Sequence, residues 1–215
     1  MSRGVRALDW LATRPLYQRI VGHPFVYDYL QPLPVGGLDL SPAYERLGVT
    51  VDSVVLDVGC GTGRALRHLR TFRAYHGFDT DPVALRAAEK RFGGLRGVQF
   101  ECRTCAPEDF ERYAPTHVAL IGLLHHLPDE EAVRLLSTLK HSSAFRRAVT
   151  LDPVYVPGRH LQNLLASLDR GRYCRNEPGY LRLAEQAGLT IAWHGHVRCH
   201  PKRGLVSYFV MQLEP

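Results

Sequence analysis

Three groups of residues have types and spacings that chemistry can use. The first is Val55-Leu-Asp-Val-Gly-Cys-Gly-Thr-Gly63. An apolar, β-branched run enters three alternating glycines, and a helical pattern follows at once. Glycine there allows a tight turn and lets a ligand approach the backbone closely. Exposed N–H groups at a helix start suit a polar or anionic group of that ligand. The second is Asp79, at the end of the next strand-like run, twenty residues after Gly59. A carboxylate in that place accepts hydrogen bonds from both hydroxyls of a ribose. Together these describe an adenosine-type cofactor site at the carboxyl ends of strands. The third is the pair His125 and His126, after a continuous apolar run. Imidazole titrates near neutrality and can take a proton from a nucleophile; equally, one ring can cap the next helix while the other packs.

The glycine spacing narrows the cofactor. A dinucleotide fingerprint needs glycine at the first, third and sixth positions, and counted from Gly59 the sixth is Arg64. No Gly-Lys-Ser/Thr follows, so a P-loop is absent. The arrangement Asp57-x-Gly-x-Gly-x-Gly63 instead resembles the class I S-adenosylmethionine-dependent methyltransferases, in particular their small bacterial, type 11-like members. Gly77-Phe-Asp-Thr-Asp-Pro82 is similar to the family's second motif, Ala119-Leu-Ile-Gly-Leu-Leu-His-His-Leu-Pro-Asp129 to its fourth-strand motif, and Leu151-Asp-Pro-Val-Tyr155 to the end of its fifth strand. Asp169-Arg-Gly-Arg-Tyr173 with Tyr180 resembles a segment that recurs in one bacterial branch. The resemblance covers residues 50 to 215.

This resemblance implies S-adenosylmethionine as cofactor, with S-adenosylhomocysteine as product. It implies cofactor contacts from Asp57, Gly59, Cys60, Gly61, Asp79, Thr80, Thr104, Cys105 and the backbone around Leu123. It implies His125 as general base with Asp152 orienting or charge-stabilising it, and an acceptor side formed by His126, Tyr155, Arg172 and Tyr173. One departure stands out. Many relatives carry an acid or amide just after the third strand, near the adenine, whereas Thr104 stands there here, followed by Cys105. The adenine contacts then come from these backbones, or from Glu108 or Asp109 after a small insertion. The reaction implied is methyl transfer to an oxygen or nitrogen of a small molecule, such as a natural-product or biosynthetic intermediate. Two alternatives stay open: a tRNA or rRNA methyltransferase of the same fold, and a non-catalytic protein that binds the cofactor.

The elements that must position these groups follow from periodicity. Strand patterns cover 53–58, 74–78, 98–102, 117–124, 148–151, 189–197 and 205–213, and helical patterns cover 64–72, 82–92, 129–139 and 179–187. Alternating strands and helices imply a parallel sheet covered on both faces. Only His200-Pro-Lys-Arg-Gly204 separates the last two strands, too short for a crossover, so they form an antiparallel hairpin. The expected architecture is α/β: a Rossmann-like, doubly wound, seven-stranded, mostly parallel sheet with an antiparallel last hairpin. Residues 1–50 are expected to form a helical N-terminal cap, with Ser41 as N-cap before Pro42 and with Tyr17 and Tyr27 as contact candidates; residues 51–215 form the cofactor-binding domain.

Composition excludes other classes. The chain has 215 residues, 45% hydrophobic and 22% charged, which rules out a disordered chain or a small disulfide scaffold. Five cysteines at irregular spacing make a poor disulfide framework. Cys102-Arg-Thr-Cys105 has metal-ligand spacing, but with His194, His196, Cys199 and His200 it gives no standard finger, so no metal is expected. The net charge of +6 comes mainly from scattered arginine, only three of the 27 basic residues being lysine. No basic stripe or binding module accompanies it, which argues against a nucleic-acid partner. Arg170, Arg172 and Arg175 read either as a solvated loop or as a lid that takes an anionic group of the acceptor. No secretory signal or spanning segment is evident, so a cytoplasmic protein is expected, without a membrane partner and with an oligomeric state the sequence does not reveal.

Overall fold

The computed structural model describes residues 39–167, 171–198 and 206–215. Tyr17, Tyr27, Arg170, Cys199 and His200, with most of the expected cap, lie outside them. The strands are β1 (Val54–Val58), β2 (Ala74–Asp79), β3 (Val98–Cys102), β4 (His117–Ile121), β5 (Arg147–Tyr155), β6 (Arg175–Asn176), β7 (Thr190–Arg198) and β8 (Ser207–Glu214). The helices are α1 (Ser41–Leu47), α2 (Pro82–Phe92), α3 (Pro107–Tyr113), α4 (Asp129–Thr138), α5 (His160–Ser167) and α6 (Glu177–Gln186).

The sheet runs β3-β2-β1-β4-β5-β8-β7, with the two-residue β6 beside β5. β1 to β5 pair in parallel, whereas β8 runs antiparallel to both β5 and β7. This is the expected seven-stranded path with its antiparallel hairpin, plus the short β6. β1 is buried along its whole length, as a strand covered on both faces must be. One face packs Leu56, Phe78, Phe110, Leu124, Leu136 and Leu183, bringing in α3, α4 and α6. The other packs Tyr44, Leu47, Val55, Leu66, Leu69 and Tyr75, bringing in α1 and the turn after the glycine loop. α1 is thus part of the sheet's cover, and Arg46 lies 3.2 Å over the Trp193 ring of β7.

Several boundaries differ from the sequence reading. The helix expected over 64–72 is only a 3-10 turn, Arg64–Arg67. Arg64, Arg67, Arg70 and Arg73 recur every third residue, and a continued helix would stack these charges, each neighbouring pair costing a few tenths of a kcal/mol. β4 stops at Ile121 because Gly122 turns with φ 69°, and a 3-10 turn at Leu124–His126 follows. β5 extends to Tyr155, since β8 on one side and β6 on the other continue its pairing. Asp152 therefore lies within β5, opposite Phe209, rather than after it. Leu40, not Ser41, is the residue before α1, and Asp39 Oδ1 accepts from the Ser41 N–H at 2.9 Å. Asp81 caps α2, accepting from Val83 and Ala84 N–H, an arrangement worth about 1 kcal/mol. Cys102 ends one edge strand, while His194 and His196 sit on the opposite edge, so these groups do not meet. No described helix is long and apolar enough to cross a membrane.

Candidate functional site

Strand order reverses between β1 and β4, which run parallel: β2 and β3 lie on one side of β1, and β4 and β5 on the other. In such sheets a crevice opens outside the carboxyl ends of the strands at this switch point. A cavity of about 480 Å³ is found there, within the range of small-molecule sites. The end of β1 contributes Val58, Gly59, Gly61 and Thr62, and the end of β2 contributes Phe78, Asp79, Thr80 and Asp81. Arg103, Thr104 and Cys105 come from the turn after β3, and Gly122, Leu123 and His126 from the turn after β4.

The glycine loop is set by its backbone. Gly59 and Gly61 have φ 76° and 53°, the left-handed region that favours glycine. The sequence suggested free N–H groups here; the structure uses them internally. Gly59 and Cys60 N–H donate to the Phe78 carbonyl at 2.8 and 3.0 Å, Gly63 N–H donates to the Cys60 carbonyl, and Gly61 N–H donates to Asp79 Oδ2 at 2.8 Å. A loop that spends its donors this way makes no nest for a pyrophosphate. Asp79 Oδ1 also accepts from Asp81 N–H at 2.8 Å. Two backbone donors fix the carboxylate, and each oxygen keeps a lone pair for a vicinal diol.

Asp57 and Cys60 sit behind the cavity rather than in its lining. Asp57 is buried and accepts from the Tyr75 hydroxyl at 2.6 Å. Burial pushes its carboxyl up to about 7, the Tyr75 hydrogen bond opposes this, and the Asp79 charge adds to it. Burial, reinforced by Asp57 and Asp79, also holds the Cys60 thiol well above its usual range, so it stays protonated.

The turn after β3 answers the question of the displaced acid. Asp109 is buried and accepts both ends of the Arg103 guanidinium at 2.6 Å, together with Ala106 N–H at 2.8 Å. The Arg103 fork is the main cause that holds the Asp109 carboxyl below the usual range. Glu108 is exposed, and neither acid lines the cavity. Arg103, which the sequence reading passed over, does line it.

The β4–β5 side is assembled from distant segments. His125 Nδ1 lies 2.8 Å from Asp152 Oδ1, which also accepts the His125 backbone N–H at 3.1 Å. Both side chains are buried, at 3% and 1% exposure. A Cβ added to Gly122 would stand 3.9 Å from His125 Cε1, so the ring lies just behind the cavity wall. Gly171 covers the ring so closely that a Cβ there would overlap His125 Cδ2. Tyr173 N–H donates to the His125 carbonyl at 2.9 Å. Arg175 binds the carbonyls of Leu124, Leu127 and Tyr173 and pairs with Asp129 at 2.6 Å. Of the expected acceptor residues, His126 lines the cavity; Tyr155 is half-buried at the end of β5, and Arg172 and Tyr173 are exposed beside Gly171. Arg175 is thus a clamp rather than a solvated charge.

Comparisons with known proteins agree with this geometry. Residues 55–143 match the methyltransferase domain family. Among solved structures, the chain is similar to the 1,6-didemethyltoxoflavin-N1-methyltransferase of Burkholderia thailandensis, solved with 1,6-didemethyltoxoflavin and S-adenosylhomocysteine; the TM-score is 0.62 and the identity 19%, over 100% of this chain and 91% of that one. It is also similar to a cyclopropane synthase of Mycobacterium tuberculosis, with TM-score 0.67 and 11% identity over 94% and 99% of the two chains. A SAM-dependent methyltransferase from Leishmania major gives TM-score 0.62 and 14% identity over 97% and 82%. A search of curated proteins finds no match. At these identities the structural likenesses speak for the fold. Residues 55–143 thus match a methyltransferase domain, and the sheet is similar to the Rossmann-like fold of solved methyltransferases.

Proposed function

We propose that the chain methylates an oxygen or nitrogen of a small molecule, with His125 as general base and Asp152 holding it. The observation that carries this reading is the buried His125–Asp152 pair directly behind the cavity wall. When bound, S-adenosylmethionine supplies a methyl group already activated on a sulfonium. The residues present fit it. Asp79 takes the ribose diol, Gly59 and Gly61 let the ligand lie against the backbone, and Thr80, Thr104 and Cys105 line the β3 side. Leu123 borders the methionine part. Asp57 and Cys60 support the loop from behind through Tyr75 and close packing.

The remaining task is to align the acceptor and take its proton. Asp152 accepts at Nδ1, so in the neutral ring Nδ1 carries the hydrogen and Nε2 holds the lone pair that acts as base. Asp152 Oδ2 has no hydrogen-bond donor among the described residues, and Asp152 Oδ1, beside Nδ1, orients the ring and stabilises the imidazolium that forms. His126, Tyr155, Arg172 and Tyr173 border the acceptor side. The Burkholderia structure, an N1-methyltransferase with bound 1,6-didemethyltoxoflavin, supports this class of reaction. His125→Ala should lower turnover on a responding acceptor by roughly 10²- to 10⁴-fold while S-adenosylhomocysteine affinity is kept. Full turnover in that variant overturns the base assignment.

A further inference from the structure

The turn after β3 holds an arginine in a way that the proposed chemistry does not require. Arg103 lines the cavity, and its guanidinium carbon stands 4.8 Å over the Phe78 ring, which lines it too. The side chain is fixed on three sides: a two-bond fork to the buried Asp109, a bond from Nε to Glu101 Oε2 at 2.9 Å, and one to the Thr104 carbonyl at 3.2 Å. Glu101 is held in turn by the Tyr113 hydroxyl at 2.7 Å. An arginine so pinned offers a rigid flat cation, suited to the face of a π system.

The cavity decides which part of the ligand meets it. Asp79 stands in the middle. On the β4 side are Leu123 and His126, next to the His125–Asp152 pair, where the reacting sulfonium must lie. The other end of the ligand, across the ribose, then falls between Thr104 and the Phe78–Arg103 wall. We propose that Arg103 is the platform on which the adenine ring stacks, and that Asp109 and Glu101 cancel its charge so that a cationic cofactor is not repelled. The proposal rests on the cofactor reading above. It gives the turn after β3 a role that an acid at position 104 would otherwise be expected to fill.

The test is calorimetric titration of the full chain with adenosine, S-adenosylhomocysteine and S-adenosylmethionine, for wild type, Arg103→Met and Asp109→Asn, each well below its melting temperature. Arg103→Met should weaken adenosine and S-adenosylhomocysteine alike, by about tenfold, because both carry the adenine. Asp109→Asn leaves the guanidinium under-compensated, so it should weaken the sulfonium ligand several-fold more than the uncharged thioether. That ratio is read within one protein, and a merely structural role would leave it unchanged. Wild-type affinity in Arg103→Met, or an unchanged ratio in Asp109→Asn, overturns the proposal. Absence of binding by the wild type would overturn the cofactor reading itself, an outcome distinct from either.

Discussion

The two ends of the cavity are held in different ways. At the β1–β2–β3 end the functional groups are fixed by short-range contacts: Asp79 by Asp81 two residues on, Asp109 by Ala106 and Arg103 three and six residues away, and the glycine loop by Asp79 eighteen residues later. At the β4–β5 end His125 meets Asp152 across 27 residues, and Arg175 reaches Asp129, Leu127 and Leu124 across 46 to 51. The first end is a property of strand–turn–helix units. The second exists only when Gly171, Tyr173 and Arg175 pack against the turn after β4. Damage to the first end should therefore read as lost cofactor affinity, and damage to the second as lost turnover with affinity intact.

The sharpest way to break that contrast is Gly171→Val. Its side chain must displace a His125 ring that Asp152 holds, next to the His125 carbonyl that the Tyr173 N–H fixes. Turnover should fall by at least about 100-fold and stability by about 1–3 kcal/mol, with S-adenosylhomocysteine affinity within about twofold of wild type. Equal losses of affinity and turnover would show that the two ends are one unit. Arg175→Met should be milder, because the segment keeps the Tyr173 contact and the Tyr180 hydroxyl bond to the Pro153 carbonyl at 2.9 Å. Loss of its charged hydrogen bonds should cost about 2 kcal/mol and roughly tenfold in turnover, read by denaturant melts and initial rates.

The smallest expected effect sits at the cofactor end. Asp57, raised to about 7 in the fold from an ordinary value of 3.8, keeps its proton where the unfolded chain has lost it. Its contribution is thus fully present below the unfolded value and is lost as pH rises through the folded one. Melting temperature should drop between about pH 4 and 7 more steeply in wild type than in Asp57→Asn, whose amide can still accept from Tyr75. Parallel curves would mean that Asp57 is ionised throughout.

The same division decides what the sequence made legible. The glycines and Asp79 are local signals, and they stand where spacing placed them, at the ends of β1 and β2. Thr104 and Cys105, which the resemblance put at the cofactor, line the cavity. Arg103 was not visible, because its meaning depends on Asp109 folding back from α3. A signal was present in Pro107-Glu-Asp109, a proline-led, acid-rich first turn that marks a helix start. The helix after the glycine loop failed for a reason periodicity ignores, the repeated arginines with no acid between them. Gly171 and Arg175 stand in segments the sequence marks, but their partners are not legible there, since a glycine required by a ring 46 residues earlier looks like any loop glycine. α5 is two turns long with Leu161 and Leu164 exposed, so its pattern was never that of an amphipathic helix.

The central claim is that a ribose-bearing sulfonium cofactor binds between the glycine loop and Asp79. The most direct test is calorimetric titration of wild type and Asp79→Ala with S-adenosylmethionine, S-adenosylhomocysteine and NAD. The account predicts micromolar binding of the first two to wild type, none of NAD, and a loss of at least about tenfold in the variant, the scale of a hydrogen bond to a charged group. Unchanged affinity in Asp79→Ala, or preference for NAD, would contradict it.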